Sequence, residues 1–334
     1  MIYRFYLLLI SAVMWGLPGC GPAASHQGEK EAQKIIFAIS ASQGSLQYQT
    51  AEEFTRRVNE QLPPGYQIVF YGSAQLGKDK DLMQKLKLGT VHLSLPSSIM
   101  STYAPEFGLF EMPFLIRDRT HLQQIEQQIF WPEMAASMEP KGYKVIGLWE
   151  NGFRHITNNQ RPILHPTDLK GIKLRTPRSN WRVDMFRVWG GNPTPMAFSE
   201  VFVALQTGVI DGQENPLTNI YAEKLHEVQA YLSLSAHVYM PSYLTVGLRK
   251  WNTLPAEVQN ILFHAAQEIK PWIYQTAERQ EKELIDMLQE KGMKVNAIER
   301  DAFEEASETL YQSFGESVAA GQTWIQACKM TSAP

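Results

Sequence analysis

Two hydrophobic periods alternate along the chain from about residue 35 onward. Residues 35–39 form a short apolar run that reads as a strand, Tyr48, Ala51, Phe54 and Val58 recur at helical spacing, and residues 67–71 read as strand again. A helix through Leu82, Met83 and Leu86 and a strand over 91–95 complete a βαβαβ rhythm. That rhythm predicts an α/β fold built on a largely parallel sheet with helices on both faces. Residues 143–149 and 153–157 read as two further strands meeting at Asn151-Gly152, a turn or crossing signal. A second α/β pattern follows, with a strand over 172–175, a helix over 181–189 whose apolar side carries Val183, Met185, Phe186 and Trp189, a short helix over 198–205 and a strand over 209–213. Residues 243–248 look like a strand returning to the first sheet. From Pro255 a helical pattern runs to about Gly292, broken at Pro271, which removes a backbone donor. That length exceeds what one small lobe can bury, so it predicts a helix lying across two. A strand over 293–297 and a helix over 301–318 follow. The pattern predicts two α/β lobes, residues 34–151 with 241–280 and residues 152–240 with 281–330, joined by hinge strands and the long helix.

The N-terminus changes the picture of where the protein works. Arg4 precedes an uncharged apolar stretch from Phe5 to about Leu17, too short for a permanent membrane span, and the next residues are Pro18, Gly19 and Cys20. This predicts export, with residues 1–20 as a signal peptide. Cys20 after Gly19 resembles a lipobox, which predicts acylation of Cys20 and a periplasmic, membrane-anchored lipoprotein; Ala23-Ala24-Ser25 offers a plainer cleavage zone and a freely secreted alternative. Residues 21–33 are small and polar and read as a tether. Cys328 is the one other cysteine, so no internal disulfide is expected to support the fold. With 44% hydrophobic residues and a formal charge of −3, the chain can fill two ordinary cores and has no basic excess for a nucleic-acid partner.

Candidate chemistry concentrates on two arginines. Arg154 in ENGFRHITN and Arg175 in LKGIKLRTPRS lie in short strand-like segments among apolar neighbours, where a guanidinium is costly to enclose without an anion. Its planar fork suits a carboxylate held at two points. No acid stands at a fixed spacing from either, so the counter-charge is an Asp or Glu brought by the fold or the anion of a ligand. Enzyme signatures are thin. Gly72 to Lys78 matches the G-x-x-x-x-G-K part of a phosphate loop, but Asp79 stands where a hydroxyl normally completes a magnesium shell; a glycine-rich helix start is the plainer account. The eight histidines show no metal-ligand spacing, and no nucleophile-and-base motif is present, so neither metal, cofactor nor catalysis is expected.

The chain is similar to the solute-binding proteins of tripartite ATP-independent periplasmic (TRAP) transporters. The similarity runs from about Ile35 to Phe314, and its most specific stretch is GNPTPMAFSEVFVALQTGVIDGQENPLTNIYAEKLHEVQAYLS, from Gly191 to Ser233. GSAQLGKDKDLMQKLKLG, APEFGLFEMPFL and DLKGIKLRTP support it. The resemblance implies a two-lobed periplasmic binding fold of type II-like architecture and an interlobe cleft for a small organic acid. The acid would be delivered to one small and one large membrane subunit. By the resemblance Arg175 pairs with the ligand carboxylate, Arg154 is the second cleft arginine, Asn215 an amide that also reaches the carboxylate, and Phe198 the aromatic wall. Gln47, Ser97 and His237 are further expected contacts. Arg178 and the Pro96-Ser97-Ser98 segment depart from the sialic-acid-binding members and shift the cleft towards positive charge. A uronate, an aldonate or a C4-dicarboxylate, whose second carboxylate Arg178 could meet, is therefore expected in place of sialic acid. A ligand sensor for a membrane receptor, and more remotely a secreted lyase or hydrolase, are the competing readings.

Overall fold

The computed structural model describes residues 32–331. The expected signal peptide, Cys20 and the tether up to residue 31 lie outside the described residues. No helix of the described residues is long and apolar enough to cross a membrane.

β1 (Gln33–Ala38) pairs in parallel with β2 (Tyr66–Tyr71) and with β3 (Leu93–Ser94). Parallel neighbours need crossovers, and the helices Leu46–Asn59 and Asp79–Leu88 supply them. The first begins at Ser45, whose hydroxyl accepts from Tyr48 N at 3.3 Å, and buries Leu46, Ala51, Phe54 and Val58. In the second, Asp81 accepts from Lys78 N at 3.2 Å, Asp79 and Asp81 sit in the first turn where the helix dipole favours them, and Gly89 closes the last turn in the left-handed region at φ 79°. The glycines of the phosphate-loop look-alike have local causes. Gly77 sits at φ 121°, and a Cβ on Gly72 would meet the Tyr48 ring at 2.1 Å.

β3 pairs antiparallel with β9 (Tyr239–Gly247), and β9 with the 16-residue β4 (Tyr143–Asn158). The C-terminal part of β4 pairs antiparallel with β7 (Gly212–Pro216) and with β8 (Tyr231–Leu234). β7 then runs parallel to β5 (Lys173–Thr176), β5 to β6 (Asn192–Pro195), and β8 to β10 (Lys294–Ala297). The sheet is therefore mixed, its two halves joined through β4.

Three sequence expectations need correction, and one strand was not expected at all. The two strands over 143–149 and 153–157 are one, because Asn151-Gly152 falls in a register shift between Glu150 and Gly152, with Gly152 at φ 120°, instead of in a turn. The strand expected over 209–213 is Gly212–Pro216, which carries Glu214 and Asn215 into the ladder with β4. β6 was masked by Pro193 and Pro195; it lies at the end of the sheet, where a missing backbone donor is tolerated. The expected helix over 301–318 is two, Arg300–Ala306 and Glu308–Ser317, and Gly321–Met330 follows.

The long helix divides at Ile269, before Pro271, into Ala256–Glu268 and Lys270–Glu290. The latter puts Ile273 and Ala277 into the core with Phe37, Phe54 and Trp149, and Leu284 and Leu288 into the core with Ile220 and Leu232. The largest core joins Phe107, Phe110 and Tyr243 to Leu174, Phe186, Phe314 and the buried Cys328.

Candidate functional site

Strand β5 ends where the fork of Arg175 becomes useful. Leu174 and Arg175 pair with Gly212 and Gln213 of β7, and the Arg175 side chain, only 3% exposed, turns towards a cavity of about 150 Å³. Its Nε and Nη2 donate to Met196 O at 3.2 and 2.9 Å, and its guanidinium lies 5.7 Å from the centre of the Phe198 ring. It forms no ion pair among the described residues. Burial, and then the repulsion of Arg154, push it down to about 9, the signature of a charge that its surroundings do not compensate.

Arg154 differs, and here one expectation changes. Its counter-charge is Glu214, from the neighbouring strand β7: Nε to Oε2 is 2.5 Å and Nη2 to Oε1 is 3.0 Å. Nη2 also donates to Glu214 O and to Asn215 Oδ1, at 2.5 and 3.0 Å. The acid arrives through the antiparallel register that sets Arg154 opposite Pro216 and Ile156 opposite Glu214, a relation that spacing along the chain does not contain. Burial opposes the charge on Glu214, but Arg154 and Arg182 together outweigh it and hold the carboxyl far below its ordinary range. The interior lowers the pKa of Arg154, with Glu214 working against the shift.

Seven of the eight expected contact residues line the same cavity: Arg154, Arg175, Asn215, Phe198, Arg178, Ser97 and Gln47. They come from both halves of the sheet. Gln47 donates to Ser242 Oγ at 2.8 Å and Leu95 O at 3.3 Å, and Ser97 donates to Pro241 O at 2.8 Å. Arg178 is exposed at the rim, where Lys78 Nζ meets Glu200 Oε1 at 2.6 Å across the mouth. His237 is the exception. It is fully buried and does not line the cavity; its ring packs beside Phe186 and Trp189, with Nδ1 2.8 Å from Ser235 Oγ and Nε2 3.1 Å from Glu214 Oε2.

That position has a testable consequence. Burial, opposed by Glu214, pushes His237 down to about 4, so it stays neutral in the fold while the unfolded chain binds a proton near pH 6.5. Its contribution to stability is complete above 6.5 and falls as the pH drops towards 4. The loss of unfolding free energy in His237→Gln, measured by urea denaturation, is expected to be about 2.5 kcal/mol smaller at pH 4.5 than at pH 7; equal losses at both would contradict a neutral buried ring.

Asp79, Asn151 and Asn219, which no sequence pattern marks as site residues, also line the cavity. Asp79 is reached from the cavity but walled by protein; burial raises its pKa against the pull of Ser40, whose hydroxyl donates to it, and of Arg175. Asn151 and Asn219 each keep a buried Oδ1 without a partner among the described residues. Such an amide can meet a ligand hydroxyl. Asp79 was legible only as the wrong residue for a phosphate loop, and Asn151 only as a turn residue.

A buried cationic fork, a second paired arginine and amides around one small cavity suit a carboxylate ligand. The sequence profile of the family "Bacterial extracellular solute-binding protein, family 7" matches residues 37–317. The chain belongs to this family. It is similar to the 2,3-diketo-L-gulonate-binding periplasmic protein YiaO of Escherichia coli (strain K12), with 32% identity over 89% of this chain and 91% of the relative. A crystal structure of a TRAP periplasmic solute-binding protein from Polaromonas sp. JS666 bound to D-erythronate superposes with a TM-score of 0.85 at 31% identity, covering 90% of this chain and 99% of that one. Another, from Sulfurospirillum deleyianum DSM 6946 with bound succinate, gives 0.84 at 29% identity over the same shares. The chain has the fold of TRAP solute-binding proteins, and its relatives are named for binding solutes, which supports a binding role over a catalytic one.

Proposed function

We propose that this chain captures a small organic acid, a sugar acid of the aldonate or uronate type or a C4-dicarboxylate, and hands it to the small and large membrane subunits of a TRAP permease. One observation carries the reading. Arg175 is buried against a cavity with no acidic partner among the described residues, so a carboxylate that enters supplies the missing charge at two points. Arg154 and Asn215, already linked at 3.0 Å, present a donor and an amide to the same group. Phe198 forms an apolar wall; Gln47, Ser97, Asp79, Asn151 and Asn219 face the ligand's hydroxyls, and Arg178 meets a second carboxylate where there is one. In this reading residues 34–151 with 241–280 and residues 152–240 with 281–330 are lobes that close on the ligand. The protein works outside the cytoplasmic membrane, held there through acylated Cys20. Relatives that bind diketo-gulonate, erythronate and succinate support the ligand class.

The test is a thermal-shift panel of purified protein against uronates, aldonates, C4-dicarboxylates and sialic acid. A true ligand at one hundred times its Kd is expected to add about 2.7 kcal/mol of stability. Absence of a shift with every acid would refute the reading.

A further inference from the structure

The floor beneath the cavity holds more positive charge than the ligand-facing residues account for. Arg182, on the helix Asn180–Val188, is fully buried and does not line the cavity. Its Nη1 lies 2.6 Å from Glu214 Oε2, the same oxygen that accepts from Arg154 Nε at 2.5 Å. Its Nη2 lies 3.6 Å from Glu111 Oε2 and 3.6 Å from Met240 Sδ, and its Nε has no partner among the described residues. Two guanidiniums, Arg154 and Arg182, therefore share one carboxylate, Glu214, while Arg175 is repelled by both and attracted by Glu214 and by Asp79 on the lining of the same cavity. Among the described residues the other acid in ion-pair reach is Glu111, which comes from the segment Pro105–Glu111 and also accepts from Ser101 and Ser179 at 2.5 and 2.7 Å. Burial raises the pKa of Glu111, against the pull of Arg182 and of the two serines.

We infer that Arg182 is a positioning residue for the ligand carboxylate: by sharing Glu214 Oε2 with Arg154 it leaves Arg154 incompletely neutralised and fixed towards the cavity. The inference rests on the proposed capture of an organic acid. Without Arg182, Arg154 would be the one guanidinium on Glu214, beside the neutral His237 ring, and the pair would present no net charge. With it, the two guanidiniums carry one charge more than Glu214 balances, and an incoming anion adds to the compensation. In an interior of low effective dielectric a charge a few ångströms behind a site still acts on it. Glu111 works in the opposite direction, as a partial counterweight to Arg182.

The test compares Arg182→Met, Arg182→Lys, Glu111→Gln and the double variant Arg182→Met/Glu111→Gln by calorimetric titration with D-erythronate, succinate and D-glucuronate, after confirming cooperative melting of each. Arg182→Met is expected to weaken binding about tenfold. Arg182→Lys keeps most of the affinity. Glu111→Gln binds as tightly as the wild type or more so, and the double variant, with the wild-type charge balance, recovers most of the loss. A purely structural contact would make Arg182→Met and Glu111→Gln weaken binding alike, and that result overturns the inference. Affinity within twofold of wild type in Arg182→Met overturns it too. Should Arg182→Met fail to fold, Glu111→Gln and Arg182→Lys decide by the same signs. If the wild type binds none of the three acids, the functional reading falls first and the inference with it.

Discussion

Arg175→Ala is expected to abolish ligand-induced stabilisation and leave the ligand-free protein within about 1 kcal/mol of wild type. Both halves of that result follow from one property: the guanidinium is buried with backbone acceptance from Met196 but no acid in ion-pair contact among the described residues. Removing an uncompensated buried charge relieves a burden on the empty fold, which offsets the loss of two hydrogen bonds and some contact with Phe198. In the proposed complex the same residue would make the strongest polar contact with the ligand carboxylate. Its loss is expected to cost about 3 to 5 kcal/mol, or roughly two to three and a half decades in Kd. Arg175→Lys should recover little, because a point charge lacks the two-pronged geometry. Calorimetric titration with the best acid of the panel checks the affinity and urea unfolding checks the fold. A retained ligand shift in Arg175→Ala would remove the central contact of the proposal.

Glu214→Gln reverses the pattern. The change conserves shape but takes away the one carboxylate that Arg154 and Arg182 share, leaving two buried guanidiniums facing each other. Breaking a buried pair from one side typically costs about 3 to 5 kcal/mol, and here the expected loss falls on the empty protein, before any ligand is added. Urea denaturation at neutral pH measures it. A loss below about 1 kcal/mol would mean that the network holds less charge than its geometry implies. The two variants together separate the residue that waits for a ligand from the residue that prepares the wall behind it.

The uneven legibility of this site has a physical cause. Arg175 could be singled out because its neighbours Ile172, Leu174 and Thr176 announce a buried strand, and a guanidinium there needs an anion from somewhere. Whether that anion was internal could not be read, since strand register decides it: Glu214 satisfies Arg154 across the β4 ladder, while nothing comparable reaches Arg175. Arg182 carries no signal in the sequence, because its burial is created by three elements far apart in the chain, which bring Glu111, Glu214 and Met240 to it. His237 failed as an expected contact for a similar reason. Its place in the chain does not say which way the ring faces, and that is set by Phe186 and Trp189. The alternation of strands and helices survived because it depends on local period. The junction at Asn151-Gly152 did not, because the same dipeptide serves a turn or a bulge and only pairing with β9 distinguishes them.

The helix Lys270–Glu290 and the strand β4 each serve both halves of the sheet. Leu284 and Leu288 cannot leave their core without disturbing the rod that also carries Ile273 and Ala277, and β4 cannot lose its pairing at one end without loosening the other. Melting should therefore be a single cooperative event. Neither half, expressed alone, would retain a sealed interior: the chain has been braided into one folding unit even though the residues lining its cavity come from both halves.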